Sequence, residues 1–206
     1  MKNATLFSAG WKGNDPFGRF KNVEAIFDPD QLHTGGVLIL WGGEDISPSL
    51  YGQTVVKARA PANPSKRDAQ EVALFKAAVK LGIPIIGVCR GAQLACALSG
   101  GTLYQHIAGG HHSDHPIMTY KDQVVWTSSC HHQALNLKNV EHDLLAWDKD
   151  RMVTAYTDTA SEDVIIPEVA VLRATNTFAI QGHPEWMNPL DPFVQWCSNE
   201  IQERFF

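Results

Sequence analysis

Cys89 is the side chain in this sequence best placed to do chemistry. It stands in the segment IPIIGVCRGAQLACAL, with Gly87 and Gly91 two positions to either side. A G-x-C-x-G arrangement between an apolar run and a helical run is the thiol form of a strand–turn–helix elbow. Such a turn forces the nucleophile into a strained backbone conformation, which small neighbours tolerate. It also lifts the side chain over the sheet edge, beside the first turn of the next helix. The helix dipole there is expected to favour thiolate over thiol, and free backbone N–H groups can hold an oxyanion. The competing reading is a buried, inert cysteine, the ordinary fate of this residue type. The paired glycines and the flanking elements weigh against it.

A thiol nucleophile needs a base and a group to orient that base. His183 and Glu185, in QGHPEW, supply both residue types. Two apart on extended backbone, they are expected to point the same way, since strand side chains alternate with period two. The carboxylate could then accept the ring N–H and fix the tautomer. Alone, H-P-E reads equally well as a surface turn. It gains weight by following the apolar run TFAIQ, which puts it at the C-terminal end of a strand, where open α/β sheets bind their ligands.

The elements that must position these groups follow from patterning. GVLILW (36–41) and IPIIGV (83–88) are continuous apolar runs of the kind buried parallel strands show. Ser65 is an N-cap for a helix reaching Leu81, with apolar residues at Val72, Phe75, Ala78 and Val79 and a stop at Gly82. Residues 90–98 predict a second helix closed by Ser99-Gly100-Gly101. Residues 4–9 predict a short first strand, 12–20 a loop, and 1–32 no long helix. Strands are expected over 123–129, 152–157, 164–173 and 177–181, and an amphipathic helix over 192–206. Alternating βα units argue for an α/β fold, an open and mostly parallel sheet with helices on both faces. The 206 residues are expected to form one domain.

Composition narrows the function classes. Hydrophobic residues make up 44% and charged residues 19%, with net charge −5 and no Lys/Arg run, so no nucleic-acid surface is expected. No apolar run approaches the ~20 residues of a membrane span, and residues 1–10 lack a signal-peptide pattern. Four unevenly spaced cysteines do not make a disulfide framework, so a reducing cytoplasm is the expected setting.

The runs GVCRGAQL and QGHPEW together resemble the class I glutamine amidotransferases, a flavodoxin-like fold with a cysteine nucleophile elbow. Within that superfamily the chain is most similar to the γ-glutamyl-γ-aminobutyrate hydrolase, or peptidase C26-like, branch. WGGEDISPSLYGQ (41–53), RDAQEVALFKAA (67–78), IPIIGVCRGAQLACALSGGTLYQHI (83–107), HHQAL (131–135) and QGHPEW (181–186) carry this likeness. The resemblance implies that Cys89 attacks the γ-carbonyl of a glutamine-like amide, with His183 shuttling the proton and Glu185 orienting it. It implies an oxyanion hole from the N–H groups of Gly43 and Arg90, and substrate contacts from Gln93, His131, His132 and Gln133. It implies no cofactor and no metal. The implied reaction is hydrolysis of a γ-glutamyl amide, glutamine or a γ-glutamyl amine, through a thioester. The alternative is a glutaminase subunit delivering ammonia to a separate synthetase partner. A non-catalytic binding protein would have no need to keep the Cys/His/Glu set, and PfpI-like hydrolases place their histidine soon after the nucleophile. The expected partner is a small γ-glutamyl molecule, and a homodimer is common in the branch. The chain departs from the pattern at Gly182, where an aromatic is usual and whose absence is expected to open the pocket or loosen a packing contact, at Ser128, where asparagine is frequent, and in its short first βα unit.

His106, His111, His112, His115, His131 and His132 crowd the middle of the chain beside Cys130. Their spacing fits no standard zinc pattern, and they are expected to form a loop at the pocket rim. Cys96 and Cys197 are expected in the core. Trp41 and Trp186 abut the proposed oxyanion loop and histidine, Trp186 facing either substrate or core. Asp114, Asp148 and Asp150 are expected to be solvated loop charges.

Overall fold

The computed structural model describes residues 1–11 and 13–206, with the side chains of Asp150 and Arg151 left aside. Lys12, in the expected loop, and the charge of Asp150 therefore lie outside the described residues. Strands β1 (Thr5–Ala9), β2 (Asn22–Ile26) and β3 (Gly36–Leu40) precede helix α1 (Lys66–Leu81). Strand β4 (Ile85–Val88) leads through Cys89 into α2 (Arg90–Leu98). Short strands β5 (Thr102–Tyr104), β6 (His106–Ile107), β7 (His115–Thr119), β8 (Val124–Thr127) and β9 (Ala134–Asn136) follow. The long hairpin β10 (His142–Tyr156) and β11 (Ser161–Leu172), then β12 (Thr177–Ile180) and α3 (Pro192–Phe205), complete the chain.

One sheet runs in the order β2-β1-β3-β4-β12-β11-β10-β7-β8, with β6 also on β10. The first five strands are parallel; from β12 onward every pairing is antiparallel. The open sheet of parallel strands with helices on its faces is thus present, extended by an antiparallel half legible in the sequence only as less regular strands. β2, in the region expected to hold only a short first unit, is a further parallel edge strand.

Pleating divides the core. Leu38, Leu40, Ile85 and Ala179 face one side with α1 and α2, through Leu74, Phe75, Leu94 and Ala95. Val37, Ile39, Ile86, Phe178 and Ile180 face the other with α3, through Phe193, Val194 and Ile201. Strands covered on both faces read as continuous apolar runs because neither face meets water. Cys96 and Cys197 are fully buried, as expected, and all four thiols are free. No helix among the described residues is long and apolar enough to cross a membrane.

The start of α1 does more than begin a helix. Ser65 and Asp68 form a reciprocal capping box. Asp68 and Glu71, both buried, reach across to the buried guanidinium of Arg90 at the start of α2. One cation between two carboxylates locks the two helix N-termini together, which explains why acidic residues stand in the R-D-x-x-E run of an otherwise amphipathic helix.

Candidate active site

The elbow is built as its sequence suggests. Cys89 is the N-cap of α2 with φ 48 and ψ −107, a conformation costly for a residue with a Cβ. Its amide is tied to the Ile180 carbonyl at 2.7 Å, so the parallel pair β4–β12 holds the turn in place. The flanking glycines are needed for close approach. A Cβ on Gly91 would sit 2.1 Å from the Leu40 carbonyl oxygen, and one on Gly87 2.7 Å from the Ala92 nitrogen.

His183 stands just past β12, beyond Gln181 and Gly182. Its Nδ1 lies 2.7 Å from Glu185 Oε1, so Nδ1 donates, and the buried Nε2, which has no hydrogen-bond partner among the described residues, carries the lone pair in the neutral ring. The pair does not meet on extended backbone, as period-two alternation would have it. Pro184–Trp186 is a 3-10 turn with His183 at its N-cap, and the turn swings the carboxylate back under the ring. Proline fixes φ at the first position of that turn, where its missing N–H has no partner to lose. Trp186 then stacks on the imidazole, centroids 3.6 Å apart and planes within 2°. It is 58% exposed, so it is a lid on the histidine and not a core residue.

Cys89 and His183 border one space. The Gly42 position has the His183 Cε1 at 2.8 Å and the Cys89 Cβ at 3.6 Å from where a Cβ would stand, so Gly42 could be nothing larger. A cavity of about 390 Å³ opens there, walled by Cys89, His183, Glu185, Gly42 and Gly43, with Trp11, Trp41, Trp186 and Cys130 around its mouth.

Gly43 has φ 151, which favours glycine, and Arg67 packs where its side chain would be. Arg67 donates to the carbonyls of Trp41 and Gly42 at 3.1 and 3.0 Å, and its Nε bonds Glu71 at 2.8 Å. In a trans peptide the C=O and N–H point opposite ways. Pinning the Gly42 carbonyl on the Arg67 side therefore turns the Gly43 N–H away from it. The same carboxylate, Glu71, also holds Arg90, so one ion cluster braces both peptides expected to bind an oxyanion.

The thiol corrects one expectation. The helix dipole was to favour thiolate, yet burial, with Cys130 and the charges of Glu185 and Glu168 behind it, pushes Cys89 up to about 12; the Arg90 N–H acts the other way and loses. Desolvation acts on a whole charge, whereas the dipole supplies about half of one. Burial therefore holds the Cys89 thiol up against the pull of the helix dipole.

Gly182 does not open the pocket. A Cβ there would stand 2.1 Å from Thr127 Oγ1 and 2.9 Å from the Ser128 carbonyl, and the His183 amide bonds that carbonyl at 2.9 Å. The end of β8 fills the space an aromatic would take.

Gln93, His131, His132 and Gln133 are all buried and do not line the cavity above Cys89. Gln93 Nε2 lies 3.5 Å from Gln181 Oε1, His132 Nε2 binds Asp45 at 3.0 Å, and His131 Nδ1 bonds the Gln133 carbonyl at 2.8 Å. They were expected to touch substrate; existing partners hold three of them back. The Gln133 amide and Gln181 Nε2 are buried with no hydrogen-bond partner among the described residues. The histidines do not form a rim loop either. His111 and His131 face each other across a β-bridge, and with His115 they surround Glu168. Asp148 is buried against His111, not solvated. Trp11, in the aperiodic segment after β1, carried no sequence signal; it reaches the cavity by packing on Trp41, centroids 5.5 Å apart.

Comparison with known proteins places this arrangement. The model of the peptidase C26 family matches residues 30–185. A candidate glutamine amidotransferase of Mycobacterium tuberculosis is 30% identical over 76% of this chain, which spans about half, 51%, of that protein. The gamma-glutamyl-gamma-aminobutyrate hydrolase of Escherichia coli O157:H7 is 21% identical over 82% of this chain and 74% of its own length. Among solved structures, the glutaminase domain of Trypanosoma brucei CTPS superposes with a TM-score of 0.58 at 14% identity, covering 96% of this chain and 92% of that one, and so shares the fold. The chain, elbow included, belongs to the peptidase C26 family of glutamine amidotransferase-like proteins.

Proposed function

We propose that residues 1–206 act as one domain, in the reducing cytoplasm, to hydrolyse a γ-glutamyl amide by cysteine catalysis. The observation that carries this is a strained Cys89 sharing a cavity with a His183 whose Nδ1 is fixed 2.7 Å from Glu185. Family membership and the likeness to a γ-glutamyl hydrolase support the substrate class. Cys89 Sγ attacks the γ-carbonyl carbon as its proton passes to His183 Nε2. Because burial holds the Cys89 thiol up, its proton leaves as the sulfur attacks and not before. The oxyanion is met by the N–H groups of Gly43 and Arg90, and the tetrahedral intermediate collapses as His183 protonates the leaving amine. Water, deprotonated by His183, then cleaves the thioester and releases glutamate. Gln93, His131, His132 and Gln133 act from behind the wall, shaping it.

The test is glutamate release by the purified protein alone, from glutamine and from a panel of γ-glutamyl amines. Cys89→Ala is expected to fold and be inactive. Glu185→Ala keeps partial activity, with kcat down on the order of 10²–10⁴-fold, since an orienting carboxylate costs less than a nucleophile. Full activity in Cys89→Ala would overturn the mechanism. Turnover of nothing, with Cys89 still alkylated by a glutamine-like electrophile, would replace this reading with that of a glutaminase subunit awaiting a synthetase.

A further inference from the structure

Behind the catalytic cavity three histidines converge on one carboxylate oxygen. His111 Nδ1 lies 3.1 Å, His115 Nε2 3.2 Å and His131 Nε2 3.6 Å from Glu168 Oε1. Glu168, His111 and His131 are buried, while His115 is 16% exposed and leaves a way in. The outer nitrogen of each ring is already spoken for. His115 Nδ1 faces the Ser113 carbonyl at 3.2 Å and His131 Nδ1 the Gln133 carbonyl at 2.8 Å. His111 Nε2 faces Asp148 at 3.1 Å. A carbonyl can only accept, so His115 and His131 carry their protons on Nδ1, and a neutral ring then turns its Nε2 lone pair toward Glu168. Burial pulls the His111 ring down, but the Asp148 and Glu168 carboxylates on its two nitrogens raise it to about 9, so at rest it donates to both, and a bound ion would displace its Nδ1 proton.

A positive charge at this buried point, the His111 imidazolium or an ion that replaces its proton, offsets the cost of burying Glu168 among the rings. Two features favour a metal ion over protons. Each ring has its far nitrogen fixed by a carbonyl or a carboxylate, the support that metal-binding histidines receive. Glu168 Oε1 also stands 3.1, 3.2 and 3.6 Å from the three rings, close to the roughly 3.3 Å that bonds of ~2.0–2.1 Å set between ligand atoms of tetrahedral zinc. The donor atoms of His111, His131 and Glu168 all lie within 4.8 Å of one another, and His115 closes on that set when the ion binds. Three imidazoles with one carboxylate suit zinc, whereas calcium and magnesium prefer oxygen shells.

We propose that His111, His115, His131 and Glu168 form a structural zinc site, although neither their spacing in the sequence nor the family likeness suggested a metal. The ion ties the segment before β7, the 128–133 loop and β11 together. Cys130, next to His131, lines the catalytic cavity, and the Glu168 carbonyl accepts from Gln181 at 2.8 Å, two residues before His183. The site therefore braces one wall of the active centre without touching the reacting atoms.

Chelator-stripped protein titrated with zinc against a chromogenic competitor is expected to take up one ion per chain and to melt at a higher temperature when loaded. Cobalt in its place is expected to give the intense visible bands of four-coordinate geometry. Glu168→Gln and His131→Ala should each weaken zinc binding roughly 100-fold or more, since even outer-shell partners are worth about 10–100-fold, while His33→Ala, an exposed histidine, leaves it unchanged. Absence of zinc uptake by the stripped wild type would overturn the proposal, as would uptake unaltered in both variants, which marks surface histidines as the ligands. Should either variant fail to fold, the cobalt spectrum of the wild type decides alone, and a weak six-coordinate spectrum counts against the site.

Discussion

At the scale of single residues, the chemistry rests on a thiol that burial keeps neutral. Cys89 is 6% exposed and held up to about 12, whereas Cys130 is exposed at the mouth of the same cavity. A small alkylating agent at neutral pH is therefore expected to label Cys130 well before Cys89 in the free protein, an order readable by peptide mapping. Faster labelling of Cys89 would mean that the thiolate exists at rest. Gly182 makes a second residue-scale prediction. Gly182→Ala drives a Cβ into buried Thr127 and the Ser128 carbonyl, a strain of about 1–3 kcal/mol. Because the His183 amide hangs on that carbonyl, kcat should fall together with the unfolding midpoint. Wild-type values for both would show that β8 has room to move. The elbow was legible in the sequence because glycine spacing around Cys89 is a local constraint. The protonation state of its thiol was not, because desolvation depends on everything packed around the sulfur.

At the scale of elements, the ion cluster linking α1 to α2 sets the geometry of the proposed oxyanion hole. Arg67 is the partly exposed end of that cluster and the donor to the Trp41 and Gly42 carbonyls. Arg67→Ala should cost little stability, as half-exposed ion pairs generally do. It should nonetheless lower kcat on the order of 10-fold with KM nearly unchanged, since a whole oxyanion donor is worth ~10²–10³ and here one is only loosened. Arg67→Lys should recover part of the loss, because one ammonium cannot serve two carbonyls and Glu71 in a planar fork. Equal losses in kcat and folding stability would reduce Arg67 to a structural prop. Helix α1 was readable from Ser65 to Gly82 because caps and periodicity are written locally. The reason for its buried acids was not, since their partner Arg90 lies about 20 residues on, in another element. The H-P-E pair was legible as two residues but not as a 3-10 turn, because its shape depends on where β12 stops pairing.

At the scale of the whole molecule, two buried thiols, Cys89 and Cys96, are each pushed up to about 12 by burial, from an ordinary value of 9.0. The unfolded chain releases these protons above about pH 9 and the folded chain keeps them. Their contribution to stability is therefore complete below pH 9 and is lost as pH rises from 9 toward 12. Denaturant midpoints measured from pH 8 to 11, roughly the window that linkage defines, should fall more steeply for the wild type than for Cys96→Ala. Parallel curves would show that Cys96 does not titrate against the fold.

The sequence by itself determined the parallel α/β core and the elbow, and it supplied His183 and Glu185 as the residue types a thiol nucleophile needs. Each is encoded in a short run whose periodicity, caps or glycines leave one local solution. Only the tertiary structure decided that Thr127 and Ser128 take the room beside Gly182, that Trp11 joins the cavity mouth, and that His111, His115 and His131 meet around Glu168. His111 and Glu168 stand 57 residues apart, and Trp11 is farther still from Cys89 and His183, whose cavity it lines. The residues around Gly182 and Glu168 become neighbours because the antiparallel half of the sheet folds back against the parallel half, and no local pattern encodes that return.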